Sequence, residues 1–180
     1  MISDELTRRP PSPWPAPILV GCLLTLAVSL TWTYLSMRAV MDVGGSCAQG
    51  GPYAIETPCP DGAVLISIAI PIMLLATFAG TFAAVPLKAP NLLAPMWAIL
   101  FGALGWNFLE YAVAGESLVI GWLVCGVVFW AMALPALAAM VAGVRSSLLK
   151  PDRGSAWLAV YLVAGVIGSG VGWWSFNAVS

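Results

Sequence analysis

The sequence predicts an all-α membrane protein, a bundle of about five transmembrane helices with the N-terminus inside and the C-terminus outside. Of its 180 residues, 61% are apolar and only 8% are charged, a balance that lies outside the range of soluble domains. Five apolar runs are long enough to span, because a bilayer core of roughly 30 Å takes about 20 residues of α-helix. The uneven placement of Lys and Arg gives the orientation.

The predicted spans follow one another with short connections between them. They are Ala16–Met37, Ala63–Val85, Asn91–Val113, Leu118–Gly143 and Ala156–Ala178. The remaining segments are too short to fold as a soluble domain with its own core, which rarely falls below about 50 residues. We therefore predict a cytoplasmic disordered tail at 1–15 and a single transmembrane helical domain at 16–180.

Basic residues near span ends accumulate on the cytoplasmic side of a membrane. With the N-terminus inside, six of the seven basic residues are cytoplasmic: Arg8, Arg9, Lys88, Arg145, Lys150 and Arg153. Arg38 is then the single basic residue outside. This asymmetry, with an odd number of spans, predicts a C-terminus on the outer side of the cell membrane.

A two-cysteine loop at about 38–62 lies between the first two spans. The orientation places Cys47 and Cys59 in an oxidising compartment, while Cys22 and Cys125 lie within spans, so we predict a Cys47–Cys59 disulfide. Closing a loop of about 13 residues stabilises the fold by on the order of 3 kcal/mol in the entropic model. A redox-active role would be expected to use a C-x-x-C pair, which the chain lacks.

The same loop carries a recognisable pattern of glycine, proline and cysteine. The residues from Gly44 to Tyr53 read GGSCAQGGPY, and those from Pro58 to Gly62 read PCPDG. Here the chain resembles a group of small integral membrane proteins, common in actinobacteria, that carry a G-G-x-C-A-x-G-G-P-Y…P-C-P-x-G loop. The resemblance implies the topology and the disulfide, and it implies no activity.

Glu110 is the one acidic residue inside a predicted span, and such residues are candidates for functional sites. Asn107 precedes it by three positions, on the same helical face, and the depth of Glu110 places it near the outer interface. Three interpretations stay open: a polar helix end in an aromatic belt, a structural ion pair, or a transport or catalytic site. Arg38 either pairs with Glu110 or extends into the headgroup region. Arg38, Asn107 and Glu110 form a candidate outer polar cluster.

Small residues recur every four positions in the fifth span, at Ala164, Gly168 and Gly172. Helices in lipid associate through close packing, which small residues permit. This face therefore either packs within the monomer or contacts a protein partner or a second copy. Pro71 and Pro135 each remove a backbone hydrogen bond and are expected to kink the second and fourth spans.

Several kinds of chemistry lack their usual residues in this sequence. The chain has no histidine, the commonest metal ligand and general base, and no carboxylate near the middle of a span. Phosphate-loop, nucleophile-elbow and nucleic-acid patterns are missing too, so we expect no cofactor, metal, catalytic residue or nucleic-acid partner. The sequence favours a non-catalytic membrane protein of structural, accessory or interaction type. The alternatives are a small channel, transporter or lipid-binding protein with an outward-facing polar site, and a thiol-redox membrane enzyme.

Overall fold

The computed structural model describes residues 14–48, 57–115, 117–149 and 153–179. The predicted all-helical architecture is confirmed over these ranges, which form five helices and no strand. The helices are α1 (Pro15–Asp42), α2 (Leu65–Leu87), α3 (Leu93–Val113), α4 (Ile120–Leu149) and α5 (Arg153–Asn177). Each is long and apolar enough to cross a membrane. Most of the predicted tail, residues 1–13, lies outside the described ranges.

The largest extensions beyond the predicted apolar runs are at the C-terminal ends of α1 and α4. α1 continues from Met37 to Asp42, so Arg38 lies in this helix and not in the loop predicted at about 38–62. α4 continues from Gly143 to Leu149. An apolar run ends at its first charged residue, whereas a helix can continue through charged residues. Arg38 and Asp42 both have partners on α3.

α1 is the central helix of the bundle. α2, α3 and α5 all pack against it, while α4 lies on the far side of α3 and has little contact with α5. At one end of the bundle, α1 contributes Leu19, Leu23 and Leu26 to a buried apolar cluster with Met73, Leu92 and Met96. α1 is thus the helix on which α2, α3 and α5 assemble, and α4 joins the bundle through α3.

α1 meets α5 through closely spaced glycines. A Cβ at Gly168 would lie 2.8 Å from the carbonyl oxygen of Leu24, and one at Gly172 would lie 3.1 Å from that of Val28. Because the contact points advance together along both helices, α1 and α5 run in the same direction. The small-residue face predicted in the fifth span therefore packs within the monomer.

α3 and α4 form a second closely packed unit, an antiparallel hairpin. Gly105 of α3 faces Trp130, and Gly126 of α4 faces Leu109, with no room for a side chain at either glycine. Phe129 stacks between Phe101 and Phe108, at ring-centroid distances of 5.8 and 5.4 Å. Glycine contacts and aromatic stacking hold this hairpin together along its length.

The two ends of the bundle differ in chemistry. We call the end with Arg38, Cys47 and Cys59 the disulfide end, and the end with Lys88 and Arg145 the basic end. α1 starts at the basic end and α5 finishes at the disulfide end, where the indole of Trp32 donates to the hydroxyl of Ser175 at 2.9 Å. Between the ends, the bundle exposes large apolar side chains such as Phe82 and Val166, as expected where lipid is the solvent.

Candidate functional site

A bidentate ion pair joins α1 to α3 at the disulfide end. Nη1 of Arg38 donates to Oε2 of Glu110 at 2.7 Å, and Nη2 donates to Oε1 at 2.7 Å. The two side chains are 34% and 38% exposed. Paired, charge-assisted hydrogen bonds of this kind are the strongest and most directional that Arg makes. Each carboxylate oxygen of Glu110 therefore accepts one hydrogen bond from Arg38.

Asn107 extends the contact one turn deeper into the bundle. Its side chain is fully buried, with Nδ2 donating to the backbone carbonyl of Tyr34 at 3.4 Å and Oδ1 accepting from Nη1 of Arg38 at 3.5 Å. Nη1 also donates to the hydroxyl of Tyr34 at 3.2 Å. The three predicted residues and Tyr34 thus form one connected network, which we call the Arg38 cluster.

Two further side chains, those of Tyr111 and Asp42, extend the network to the C-terminal end of α1. The hydroxyl of Tyr111 donates to a carboxylate oxygen of Asp42, and the ring of Tyr111 lies 5.6 Å from the guanidinium carbon of Arg38. A cation above an aromatic ring is attracted by the negative face of the ring. Tyr111 therefore stabilises the positive charge of Arg38 and at the same time fixes the last turn of α1.

The sequence analysis did not place Tyr34, Tyr111 and Asp42 in this cluster. A signal for two of them exists, because Tyr34, Arg38 and Asp42 recur every four residues on α1 and so share one helical face. The apolar run ends at Met37, however, and that boundary hid the last turn of the helix. Tyr111 adjoins Glu110 in sequence, but only the packed structure brings it over Arg38.

The loop between α1 and α2 is closed at its base by covalent and hydrogen bonds. The Sγ atoms of Cys47 and Cys59 are 2.11 Å apart, within a disulfide, and the backbone N–H of Ala48 donates to the carbonyl of Thr57 at 3.1 Å. Residues 49–56, between these anchors, lie outside the described residues. The two chain ends that carry this segment are therefore held side by side.

Both ends of the loop also pack onto helices. Gly45, at φ 82°, lies against the indole of Trp122 on α4, and Gly62, at φ 83°, lies against the ring of Phe176 on α5. A positive φ at both positions favours glycine. The buried hydroxyl of Ser36 donates to the carbonyl of Gly62 at 2.9 Å. The loop base thereby connects α1, α4 and α5.

The other two cysteines do not approach this loop in the helical packing. Cys22 lies on α1 where it faces Gly80 of α2, and Cys125 is exposed on α4. Neither forms a disulfide within the described part of the chain. Among the same residues, no three Cys, Asp or Glu side chains come close enough together to hold a metal ion.

At the disulfide end, the charged and amide side chains of the Arg38 cluster are hydrogen-bond partners of one another. The charges of Arg38 and Glu110 face each other, and the amide of Asn107 has partners for its donor and its acceptor. Such a network joins α3 to α1 through side chains at this end of the bundle. Comparison of the chain with protein-family models, with curated proteins and with solved structures gave no match. The resemblance of the loop to an actinobacterial group therefore stays a prediction.

Proposed function

We propose that the chain is a non-catalytic integral membrane protein of the cell membrane, of structural, accessory or interaction type. In this proposal the N-terminus is cytoplasmic, the C-terminus is outside, and the disulfide end faces outward. The bundle then holds the segment between Cys47 and Cys59 at the outer surface for a protein partner. The observation that carries the proposal is the anchoring of both ends of this segment.

The anchoring supports a recognition role through its effect on entropy. A loop whose ends are tied loses less conformational freedom on binding, so more of its contact energy appears as affinity. The disulfide, the hydrogen bond from Ala48 to Thr57 and the packing of Gly45 and Gly62 on two helices supply this restriction.

The Arg38 cluster supports the non-catalytic part of the proposal. A carboxylate that acts on a substrate or a transported ion has to exchange its existing partners for it, and both oxygens of Glu110 accept a hydrogen bond from Arg38. The cluster instead joins the α3–α4 hairpin to α1, which is a structural role.

Affinity purification in mild detergent, from membranes of the native host, tests the proposal. The wild type is compared with a variant in which residues 49–56 are replaced by Gly and Ser at equal length, with both cysteines kept. A Trp174→Ala variant is the matched control, because Trp174 is exposed at the same end on α5. We expect one stoichiometric protein partner with the wild type and the control and none with the loop variant. If the loop variant retained the partner, the recognition surface would lie outside residues 49–56.

The topology is tested by labelling single cysteines introduced at Lys88 and Ser180 in a background that keeps Cys47 and Cys59. In intact cells we expect a membrane-impermeant thiol reagent to label the cysteine at position 180 and to spare the one at position 88. If the reagent labelled position 88 and spared position 180, the orientation predicted from the six-to-one basic asymmetry would be wrong. The disulfide end would then lie in the cytoplasm.

One observation favours a second function, that of a small channel, transporter or lipid-binding protein with an outward-facing polar site. Arg38 and Glu110 are each about one-third exposed, so the pair is not sealed inside the bundle. Ion flux into proteoliposomes that carry the purified protein distinguishes this alternative. A flux that Glu110→Gln abolishes, in a variant that melts at a temperature close to that of the wild type, would favour the polar-site function over the proposal above.

A further inference from the structure

Two short segments of the loop, residues 45–48 and 57–62, cross the disulfide end of the bundle side by side, and we call them the strap. The disulfide and a backbone hydrogen bond join the two segments to each other. The first segment rests on the indole of Trp122 in α4, and the second rests on the ring of Phe176 in α5. Because α4 and α5 have little direct contact, the strap connects two helices that otherwise meet weakly.

Trp122 contacts the Arg38 cluster as well as the strap. Its indole meets the ring of Tyr111 edge to face, with ring centroids 6.1 Å apart and an interplanar angle of 83°, an arrangement that aromatic pairs favour. The same tyrosine ring lies over the guanidinium of Arg38, and its hydroxyl donates to Asp42. Trp122 therefore lies between the loop and the polar contact that joins α3 to α1.

The α3–α4 hairpin is the part of the bundle that these contacts hold. α3 and α4 pack closely on each other, whereas α3 has little contact with α2, and α4 has little contact with α5. At the disulfide end, the contacts of the hairpin with the other helices and the loop include the Arg38 cluster and the strap. A unit that is well packed internally and sparsely attached opens locally at a lower free energy than the whole protein.

We propose that the strap holds the hairpin in place through Trp122, so that opening the Cys47–Cys59 bridge loosens the end of α3 at the Arg38 cluster. The bridge ties the segment that touches Trp122 to the segment that is fixed on α5 and on α1. Without the bridge, the first segment keeps its attachment to the end of α1 but loses its tie to α5. A protein partner that displaced the loop would act on the hairpin by the same route. That consequence rests on the proposed recognition role, whereas the strap itself does not.

Hydrogen exchange of the full-length protein in detergent tests the strap without a partner. Dithiothreitol passes two electrons and two protons to the bridge, which leaves two thiols, while the reagent closes to a cyclic disulfide. The thiols are then alkylated, and oxidised protein treated with the same alkylating reagent is the comparison, so that Cys22 and Cys125 meet the reagent in both samples. We expect the amides of residues 107–113, at the end of α3, to exchange on the order of fivefold faster after reduction, the factor that about 1 kcal/mol corresponds to. The first turns of α3, at the basic end, are expected to stay unchanged.

Trp122→Leu tests the route from the strap to α3. In this variant we expect the end of α3 to exchange as fast before reduction as the reduced wild type does, and reduction to add no further change. Such non-additivity separates a link between two sites from independent losses of stability. Trp174→Leu is the matched control, because Trp174 is an exposed aromatic residue of α5 at the same end, and there the effect of reduction is expected to persist. Melting temperatures check that both variants are folded, and the comparison of oxidised and reduced wild type needs neither of them.

Three results would overturn the strap. Unchanged exchange at the end of α3 after reduction of the wild type would show that the bridge does not hold the hairpin. An equal effect of reduction in the wild type and in Trp122→Leu would show that the link does not pass through Trp122. Faster exchange along the whole of α3 would show a general loss of stability and no local release. Partner capture with the loop variant is a separate measurement, so the strap and the proposed recognition role can fail independently.

Discussion

α1 meets its neighbours through two kinds of interface. Against α5, the contact is backbone to backbone, with Gly168 and Gly172 facing the carbonyl oxygens of Leu24 and Val28. Against α3, the contact at the disulfide end is made by long polar side chains, chiefly Arg38 and Glu110. α1 is thus held against α5 by backbone contacts that leave no space between the helices, and against α3 by side chains that can change rotamer.

The two interfaces differ in rigidity because one is formed by backbone atoms and the other by flexible side chains. A backbone carbonyl cannot turn away from an added Cβ without distorting its own helix, so the glycine interface tolerates little change. The side chains of Arg38 and Glu110 have several rotatable bonds, and small displacements of α3 are absorbed by changes of rotamer. We therefore expect the α3–α4 hairpin to shift relative to α1, α2 and α5 more easily than those three helices shift among themselves.

The largest effect is expected from filling the glycine interface with Gly168→Leu. A side chain there meets Ala27 at 2.6 Å and the carbonyl of Leu24 at 2.8 Å, and overpacking of this kind costs about 3 kcal/mol of unfolding free energy. Gly165→Leu is the matched control, because a Cβ at Gly165 meets nothing within 4 Å. Both substitutions bring the same gain in helix propensity.

Thermal unfolding in detergent compares the two variants. We expect Gly168→Leu to melt well below the wild type, and Gly165→Leu to melt at or above it. Equal melting temperatures would mean that the α1–α5 contact opens at little cost, and the contrast between the two interfaces would be lost.

The glycine interface and the disulfide were within reach of sequence reasoning because each has a local signal. Spacing by four residues marks Ala164, Gly168 and Gly172 as one face, and two cysteines in one loop mark a bridge. Which helix covers the glycine face is a matter of tertiary packing. Several helices of this chain carry small residues, so spacing alone does not choose α1 as the partner of α5.

The polar interface was only partly predictable, because some of its residues have a local signal in the sequence and others are brought together only by tertiary packing. Arg38, Asn107 and Glu110 are conspicuous because charged and amide side chains are rare in apolar spans. The end of α1 was misplaced because hydropathy follows lipid contact, and the turn from Arg38 to Asp42 is stabilised by protein contacts. The sequence carries no local signal for the ring of Tyr111 above Arg38.

An intermediate effect is expected at the loop base, where Ser36→Ala removes the buried hydrogen bond to the carbonyl of Gly62. Loss of one such bond costs about 1 kcal/mol of unfolding free energy. Gly62 keeps a second donor, the N–H of Leu65 at 3.0 Å, which limits the cost. Ser67→Ala is the control, because the exposed hydroxyl of Ser67 bonds only within its own turn.

Denaturant unfolding of both serine variants, followed by helical circular dichroism, measures this difference. A clear loss for Ser36→Ala with no change for Ser67→Ala is the expected result. If Ser36→Ala proves as stable as the wild type, the loop base is held by the disulfide and the glycine contacts without help from α1.

The smallest change in overall melting is expected from the ion pair, because a partly exposed pair is screened and weak. Arg38→Gln and Glu110→Gln each leave one charge without its partner, so each is expected to lower the melting temperature less than Gly168→Leu does. The double variant removes both charges and is expected to recover part of the loss. The unfolding free energies of the four proteins form a cycle that isolates the coupling.

A second cycle, pairing Glu110→Gln with Arg145→Gln, supplies the reference for no interaction, because Arg145 lies at the other end of the bundle. We expect additivity there and coupling between Arg38 and Glu110. Hydrogen exchange of the last turns of α3 gives an independent readout, since a released hairpin opens locally before the bundle unfolds. Strict additivity in the Arg38 cycle, with unchanged exchange in α3, would show that the pair does not hold the hairpin. The α1–α3 interface would then depend on apolar packing and the buried Asn107 alone, and the contrast with the glycine interface would be one of side-chain volume and not of polarity.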